Sequence, residues 1–116
     1  MEITVQNDGN VAVLHLRGRL DLASGSILKE KVKDLFAQEK NALHLNLADV
    51  EFINSSGLGA LVSTMKETRL RKGRLTLSNL ASYVQEIFEI TQLAHIFEIY
   101  PTEEEALNSY PAVPVK

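Results

Sequence analysis

Leu47-Ala48-Asp49-Val50-Glu51-Phe52-Ile53-Asn54-Ser55-Ser56-Gly57-Leu58-Gly59-Ala60-Leu61 is the stretch on which the reading of this chain turns. An apolar strand over Ala42 to Leu47 gives way to a short loop. Then Leu58, Leu61, Val62 and Met65 recur at helical spacing. The loop delivers two hydroxyls and two glycines to the first turn of that helix. Backbone N–H groups are unpaired there and the helix dipole is positive, so the position suits a negative charge. A serine in that place caps the helix, holds an anion or carries a phosphate.

Working outward, Leu43, Leu45 and Leu47 alternate with His44 and Asn46, the period of a strand with two distinct faces. Upstream, Ile3 and Val5 alternate in a first strand. Asn7-Asp8-Gly9-Asn10 is a turn signal, and Val11 to Leu16 forms a second strand, together an antiparallel hairpin. Asp21, Ser24 or Ser26 caps a first helix whose apolar stripe is Leu28, Val32, Leu35 and Phe36. Downstream, the helix that starts near Ser55 stops at Lys72-Gly73. A short strand at Leu75 and Leu77 follows. A helix then runs from about Ala81 with Val84, Ile87, Phe88 and Leu93 inward, and Ile96, Phe97 and Ile99 make a last strand. Pro101-Thr102-Glu103-Glu104-Glu105 opens a final helix with carboxylates at its positive end, docked by Ala106, Leu107 and Tyr110. The expected order is ββαβαβαβα: an α/β domain over residues 1–110 with a mixed sheet, antiparallel at the N-terminal hairpin and parallel where helices intervene. Residues 111–116 are expected to be a loose tail.

Composition narrows the function classes. The chain has 116 residues, enough for one domain, with 45% hydrophobic and 23% charged residues. Its net charge of −3 argues against a surface built to neutralise nucleic-acid phosphates. It has no cysteine, which removes disulfides, thiolate catalysis and cysteine zinc sites. No apolar run approaches a membrane span, and Met1-Glu2-Ile3-Thr4-Val5-Gln6 has neither the basic start nor the apolar core of a signal peptide. A cytoplasmic location is the expectation.

Spacing also prunes the chemistry. His15, His44 and His95 lie on different elements without a ligand at helical spacing, so no metal site is expected and surface or strand-end positions are. Ser55 and Ser56 lack the Gly-x-Ser-x-Gly elbow of a hydrolase, since Ile53 and Asn54 stand two residues before them. Gly57 and Gly59 make no dinucleotide or phosphate-loop fingerprint. Either they clear space for side chains inside the fold, or they let another surface approach the helix start. Lys66, Arg69, Arg71, Lys72 and Arg74 form a basic cluster that reads as a solvated, dipole-matched helix end. Asn54 is a good N-cap and Ser55 can do the same work. The residues alone leave both serines as caps.

Taken together, the hairpin, Leu16-Arg17-Gly18-Arg19-Leu20-Asp21, the Leu-rich third strand, Phe52-Ile53-Asn54-Ser55-Ser56-Gly57-Leu58-Gly59 and Gly73-Arg74-Leu75-Thr76-Leu77 resemble the STAS domain, specifically the bacterial anti-sigma-factor antagonists. The loop pattern of that family is Asp-Ser-Ser/Thr-Gly-Leu/Ile-Gly. The resemblance implies that Ser55 is a phosphoacceptor, with Ser56 second. It implies a partner-binding surface of Asp21, Asn54, Ser55, Ser56, Gly57, Leu58 and Gly59. The implied partner is an anti-sigma factor that is itself an ATP-dependent serine kinase. Binding would free a sigma factor, phosphorylation would switch the antagonist off, and a PP2C-type phosphatase would restore it. The chain would then be a phosphorylatable binding module, with no catalytic residue, metal or cofactor of its own. Asn54 departs from the family's Asp, keeping the cap while removing a charge beside the acceptor. Two other readings stand beside this one: a STAS docking subunit of a signalling complex or ABC lipid-transport system without a phosphate cycle, and a small-anion site, for which the loop offers no Lys or Arg.

Overall fold

A two-residue turn at Gly9-Asn10, with Gly9 at a positive φ of 62°, joins β1 (Glu2–Asp8) to β2 (Val11–Leu20) in an antiparallel hairpin. α1 (Leu22–Ala37), β3 (Ala42–Ile53), α2 (Ser55–Leu70) and β4 (Arg74–Ser78) follow. α3 (Ser82–Ile90), a 3-10 turn at Leu93–His95, β5 (Glu98–Tyr100) and α4 (Glu103–Asn108) complete the chain. The structure, a computed structural model, describes residues 1–111. The expected tail therefore lies outside the described residues beyond Pro111. The sheet order is β1-β2-β3-β4-β5, antiparallel only between β1 and β2. The expected element order is present, but α3 ends at Ile90, and Leu93, expected on its inward face, opens the 3-10 turn instead.

Parallel strands joined by helices are covered on both faces, and here the two coverings differ in kind. Leu14, Leu16, Leu43, Leu45, Leu47, Leu75 and Leu77 join Leu28, Val32, Leu35 and Phe36 of α1 and Leu61 and Met65 of α2 in one apolar core. The opposite face is mixed, with buried Val11 and Val13 of β2 beside polar groups of β3 and β4, and is covered by α4. His44 lies there, completely buried, with Nδ1 2.7 Å from Thr76 Oγ1 and Nε2 2.7 Å from Ser78 Oγ. This corrects the expectation of a surface or strand-end histidine: alternation says only that His44 faces away from the leucines, and α4 occupies that side. The Tyr110 hydroxyl donates to the Leu43 carbonyl and so accepts from Thr76. Thr76 in turn accepts from His44 Nδ1–H. Nε2 is left as the acceptor for Ser78, which sets the neutral Nδ1–H tautomer. Burial agrees, holding the imidazole pKa down to about 4. Glu103 secures the start of α4, accepting from Asn46 at 3.1 Å and pairing with His15 at 2.7 Å.

Three further expectations are corrected. β3 continues six residues beyond Leu47. One extra β3 residue is inserted opposite the His15–Arg17 step of β2 and another opposite Gly18–Arg19. Each bulge flips the facing of the strand, so the buried positions pass from Leu47 to Val50 and then to Ile53. Second, α2 stops through Lys72, which takes the left-handed conformation (φ 58°), not through Gly73. Gly73 is required for another reason: a Cβ there would run into the Asn41 backbone. Third, the arginines of the basic cluster are engaged, while Lys66 and Lys72 stay exposed without a side-chain partner among the described residues, as a solvated helix end predicts. Arg69 donates to the Ile96 carbonyl, Arg71 stacks on Phe36 with its guanidinium 4.6 Å from the ring centre, and Arg74 forks onto Glu98 while reaching Ser109 and Tyr100. Arg74 belongs to β4 and ties it to β5 and to the end of α4.

Candidate functional site

β4 pairs with β3 only from Ala42 to Asn46, whereas β2 stays with β3 as far as Ile53. The two central strands thus extend beyond β4 as a ribbon whose tips start helices. Leu20 and Ile53 are register partners, and the residue after each is an N-cap, Asp21 for α1 and Asn54 for α2. The Asn54 N–H donates to the Leu20 carbonyl (3.2 Å), fastening the two tips together. Gly25 of α1 then lies against Ala60 of α2, where a Cβ on Gly25 would come within 2.8 Å of the Ala60 methyl. Two parallel helix N-termini consequently open side by side.

The caps settle which residue does what. Asn54 Oδ1 accepts from the Gly57 N–H at 2.9 Å, and the Asn54 carbonyl accepts from Leu58. Ser55 is therefore not the cap. Ser55 and Ser56 occupy the first two helical positions, both are exposed, and neither hydroxyl has a hydrogen-bond partner among the described residues. At α1, Asp21 accepts from the Ser24 N–H (3.1 Å) while Ser24 Oγ accepts from the Asp21 N–H (2.8 Å), a capping box. The bond from the Ser24 N–H, helped by the Ser24 hydroxyl and the nearby Arg19 charge, holds the Asp21 carboxyl below its ordinary range.

The explanation by internal packing holds for one of the two glycines. Gly57 is buried, and a Cβ on it would collide with the carbonyl of Leu20, so its bareness serves the internal packing of α2 onto β2. Gly59 is exposed, with nothing within 4 Å of where a Cβ would stand. Leu58 is half-buried against the core. The structure thus gathers Asp21, Asn54, Ser55, Ser56, Leu58 and Gly59 at one end of the domain, with Gly57 beneath them.

Residues 2–106 match the STAS domain family. This chain is a STAS domain. An anti-sigma-B factor antagonist of Bacillus subtilis is 34% identical to it over 99 residues, covering 85% of this chain and 89% of that protein. An anti-sigma-B factor antagonist of Listeria monocytogenes is 32% identical over 92 residues, 79% of this chain and 81% of the other. Among solved structures, TM1081 of Thermotoga maritima superposes with a TM-score of 0.86 at 27% identity, over 91% of this chain and 92% of that one. The anti-sigma factor antagonist SpoIIAA in its unphosphorylated form gives a TM-score of 0.72 at 24% identity, over 92% of this chain and 96% of that one. Its phosphorylated form gives 0.71 at 24% identity, over 92% and 97%. One fold carries both forms of that protein.

Around the ribbon of this STAS domain lie residues that sequence reasoning passed over. Arg19 and Phe52 are cross-strand partners, and the guanidinium sits 3.8 Å from the ring centre. Tyr83, at the start of α3, is held above its ordinary pKa by burial and by the nearby Glu51 charge, against the pull of Arg19. Leu22 is 71% exposed directly after the Asp21 cap. A signal for Leu22 was available, because it falls off the stripe of Leu28, Val32, Leu35 and Phe36. None was available for Arg19 and Phe52, whose pairing depends on the second bulge. No helix among the described residues is long and apolar enough to cross a membrane.

Proposed function

We propose that this STAS domain is an anti-sigma-factor antagonist, a binding module switched by phosphorylation of Ser55. The observation that carries the reading is that, with Asn54 serving as the cap, the exposed Ser55 and Ser56 hydroxyls are both left without a partner among the described residues at the positive end of α2. Between the two, the resemblance to the family's loop pattern selects Ser55. The relatives named as antagonists favour this reading over a docking subunit without a phosphate cycle. In it, the unmodified end formed by Asp21, Asn54, Ser55, Ser56, Leu58 and Gly59 binds an anti-sigma factor and a sigma factor goes free.

The bound anti-sigma factor is also the kinase, transferring the γ-phosphoryl group of ATP to Ser55 Oγ. The phosphate brings about −1.5 to −2 charges and three acceptor oxygens. The helix dipole and the free N–H groups of the first turn accommodate that charge, so the fold persists. A partner surface shaped around a neutral hydroxyl does not, since it would desolvate the phosphate or oppose it with like charge. A penalty of about 3 kcal/mol is more than a hundredfold in affinity. A PP2C-type phosphatase resets the switch, and the domain itself performs no catalysis. Incubation with an anti-sigma-factor kinase and ATP, read by intact mass, tests the assignment. One phosphate is expected on the wild type and none on Ser55→Ala; equal modification of both would overturn it.

A further inference from the structure

The cap of α2 bears on how the switch is held once it is set, given the reading of Ser55 as phosphoacceptor. Asn54 is fixed in orientation because its Oδ1 is engaged by the Gly57 N–H. Its Nδ2 has no partner among the described residues and is not among their buried unpartnered atoms. The residue next to Ser55 therefore offers a solvent-accessible amide donor and no charge. The first turn of α2 carries no acidic residue. An aspartate in this place would cap equally well, but its carboxylate would sit one residue from the phosphate.

We propose that Asn54 is a positioning residue that stabilises the phosphorylated state: by capping α2 without a negative charge, it leaves the positive helix end to the Ser55 phosphate and favours its dianion. An Asp cap would spend the same dipole on its own carboxylate and repel the second phosphate charge. The proton equilibrium of the phosphate reports this balance directly. Like charge beside an ionising group raises its pKa. At a separation of one residue near the surface the shift is about half to one pH unit.

Other groups at this end act on both forms alike. They are Arg19 on β2, Asp21 at the start of α1, Asp49 and Glu51 on β3, and Tyr83 on α3. Substitution at residue 54 alone isolates the cap.

The test uses the chain with phosphoserine installed at position 55 by genetic encoding, so that no kinase is needed. The second ionisation of the phosphate is titrated by phosphorus NMR in the wild type, Asn54→Asp and Asn54→Ser. The Ser variant keeps a neutral cap. The phosphate pKa is expected to be higher in Asn54→Asp by about half to one unit, with Asn54→Ser near the wild type. Phosphorylation should also raise the melting temperature more in the wild type than in Asn54→Asp. Equal phosphate pKa values in wild type and Asn54→Asp, or a shift in Asn54→Ser as large as that in Asn54→Asp, would overturn the proposal. Failure of a kinase to modify Ser55 would instead contradict the antagonist reading and would leave this titration interpretable.

Discussion

Gly57→Ala and Gly59→Ala, two residues apart on one helix, should move stability in opposite directions. A methyl on Gly57 would overlap the Leu20 carbonyl group, and that atom is backbone, paired to Asn54 across the ribbon tips. The start of α2 must retreat. Overpacking of this kind costs about 1–3 kcal/mol. The Asn54–Gly57 cap, worth about 1 kcal/mol, is distorted with it. Alanine recovers about 1 kcal/mol of helix propensity. The net loss is on the order of 2 kcal/mol, which for a domain of this size lowers the melting temperature by about 8 °C. On Gly59 the same methyl meets open space. Only the propensity gain remains, about 1 kcal/mol or about 4 °C of stabilisation. Thermal unfolding followed by circular dichroism, with a urea series to check that the slope is unchanged, reads both. A Gly57→Ala protein as stable as the wild type, or a destabilised Gly59→Ala, would refute the reasoning. The Gly59 variant has a second use: if a partner backbone approaches this surface closely, the more stable protein should bind its anti-sigma factor less well.

Acid should weaken the fold before its carboxylates titrate. The folded-state pKa of His44, about 4, lies below the value near 6.5 of the unfolded chain. The stability linked to His44 is therefore complete above pH 6.5 and is lost as pH falls from there through the folded value. Between pH 7 and 5 the loss is about 2 kcal/mol, and His44→Gln should flatten that part of a urea-stability profile. Asp21, Glu98 and Glu103 also have lowered values and act below that window; for Glu103, burial pushes upward but the bonds from Asn46 and His15 outweigh it. At the other end of α2, Lys72→Gly should raise stability by about 1 kcal/mol by relieving a left-handed non-glycine residue. Gly73→Ala should lower it through the clash with Asn41, and a calorimetric melt of the pair checks both signs.

Most of the architecture was legible because its signals are local. The stripe of Leu28, Val32, Leu35 and Phe36 is a helix face whatever surrounds it, and Gly9 closes its hairpin by backbone freedom alone. The misreadings share a different origin. Nothing in Leu47-Ala48-Asp49-Val50 distinguishes a strand that ends from one that bulges, because the partner strand decides. His44 looked like a surface residue because the helix that buries it lies about sixty positions away in the sequence. Gly73 suggested a conformational role that Lys72 performs, since a required absence of Cβ has two causes, torsion and contact. At the site, the choice between Asn54 and Ser55 as cap needed coordinates, as did the finding that internal packing requires Gly57 and not Gly59. Only the resemblance, and not spacing, pointed to Ser55 as an acceptor.

The most direct test of the central claim is the affinity of this domain for an anti-sigma-factor kinase, measured by titration calorimetry with unmodified chain and with phosphoserine encoded at position 55. Tight binding of the unmodified chain and a loss of about a hundredfold or more on phosphorylation, with circular dichroism unchanged, is the predicted result. Equal affinity of the two forms would contradict a switch at Ser55.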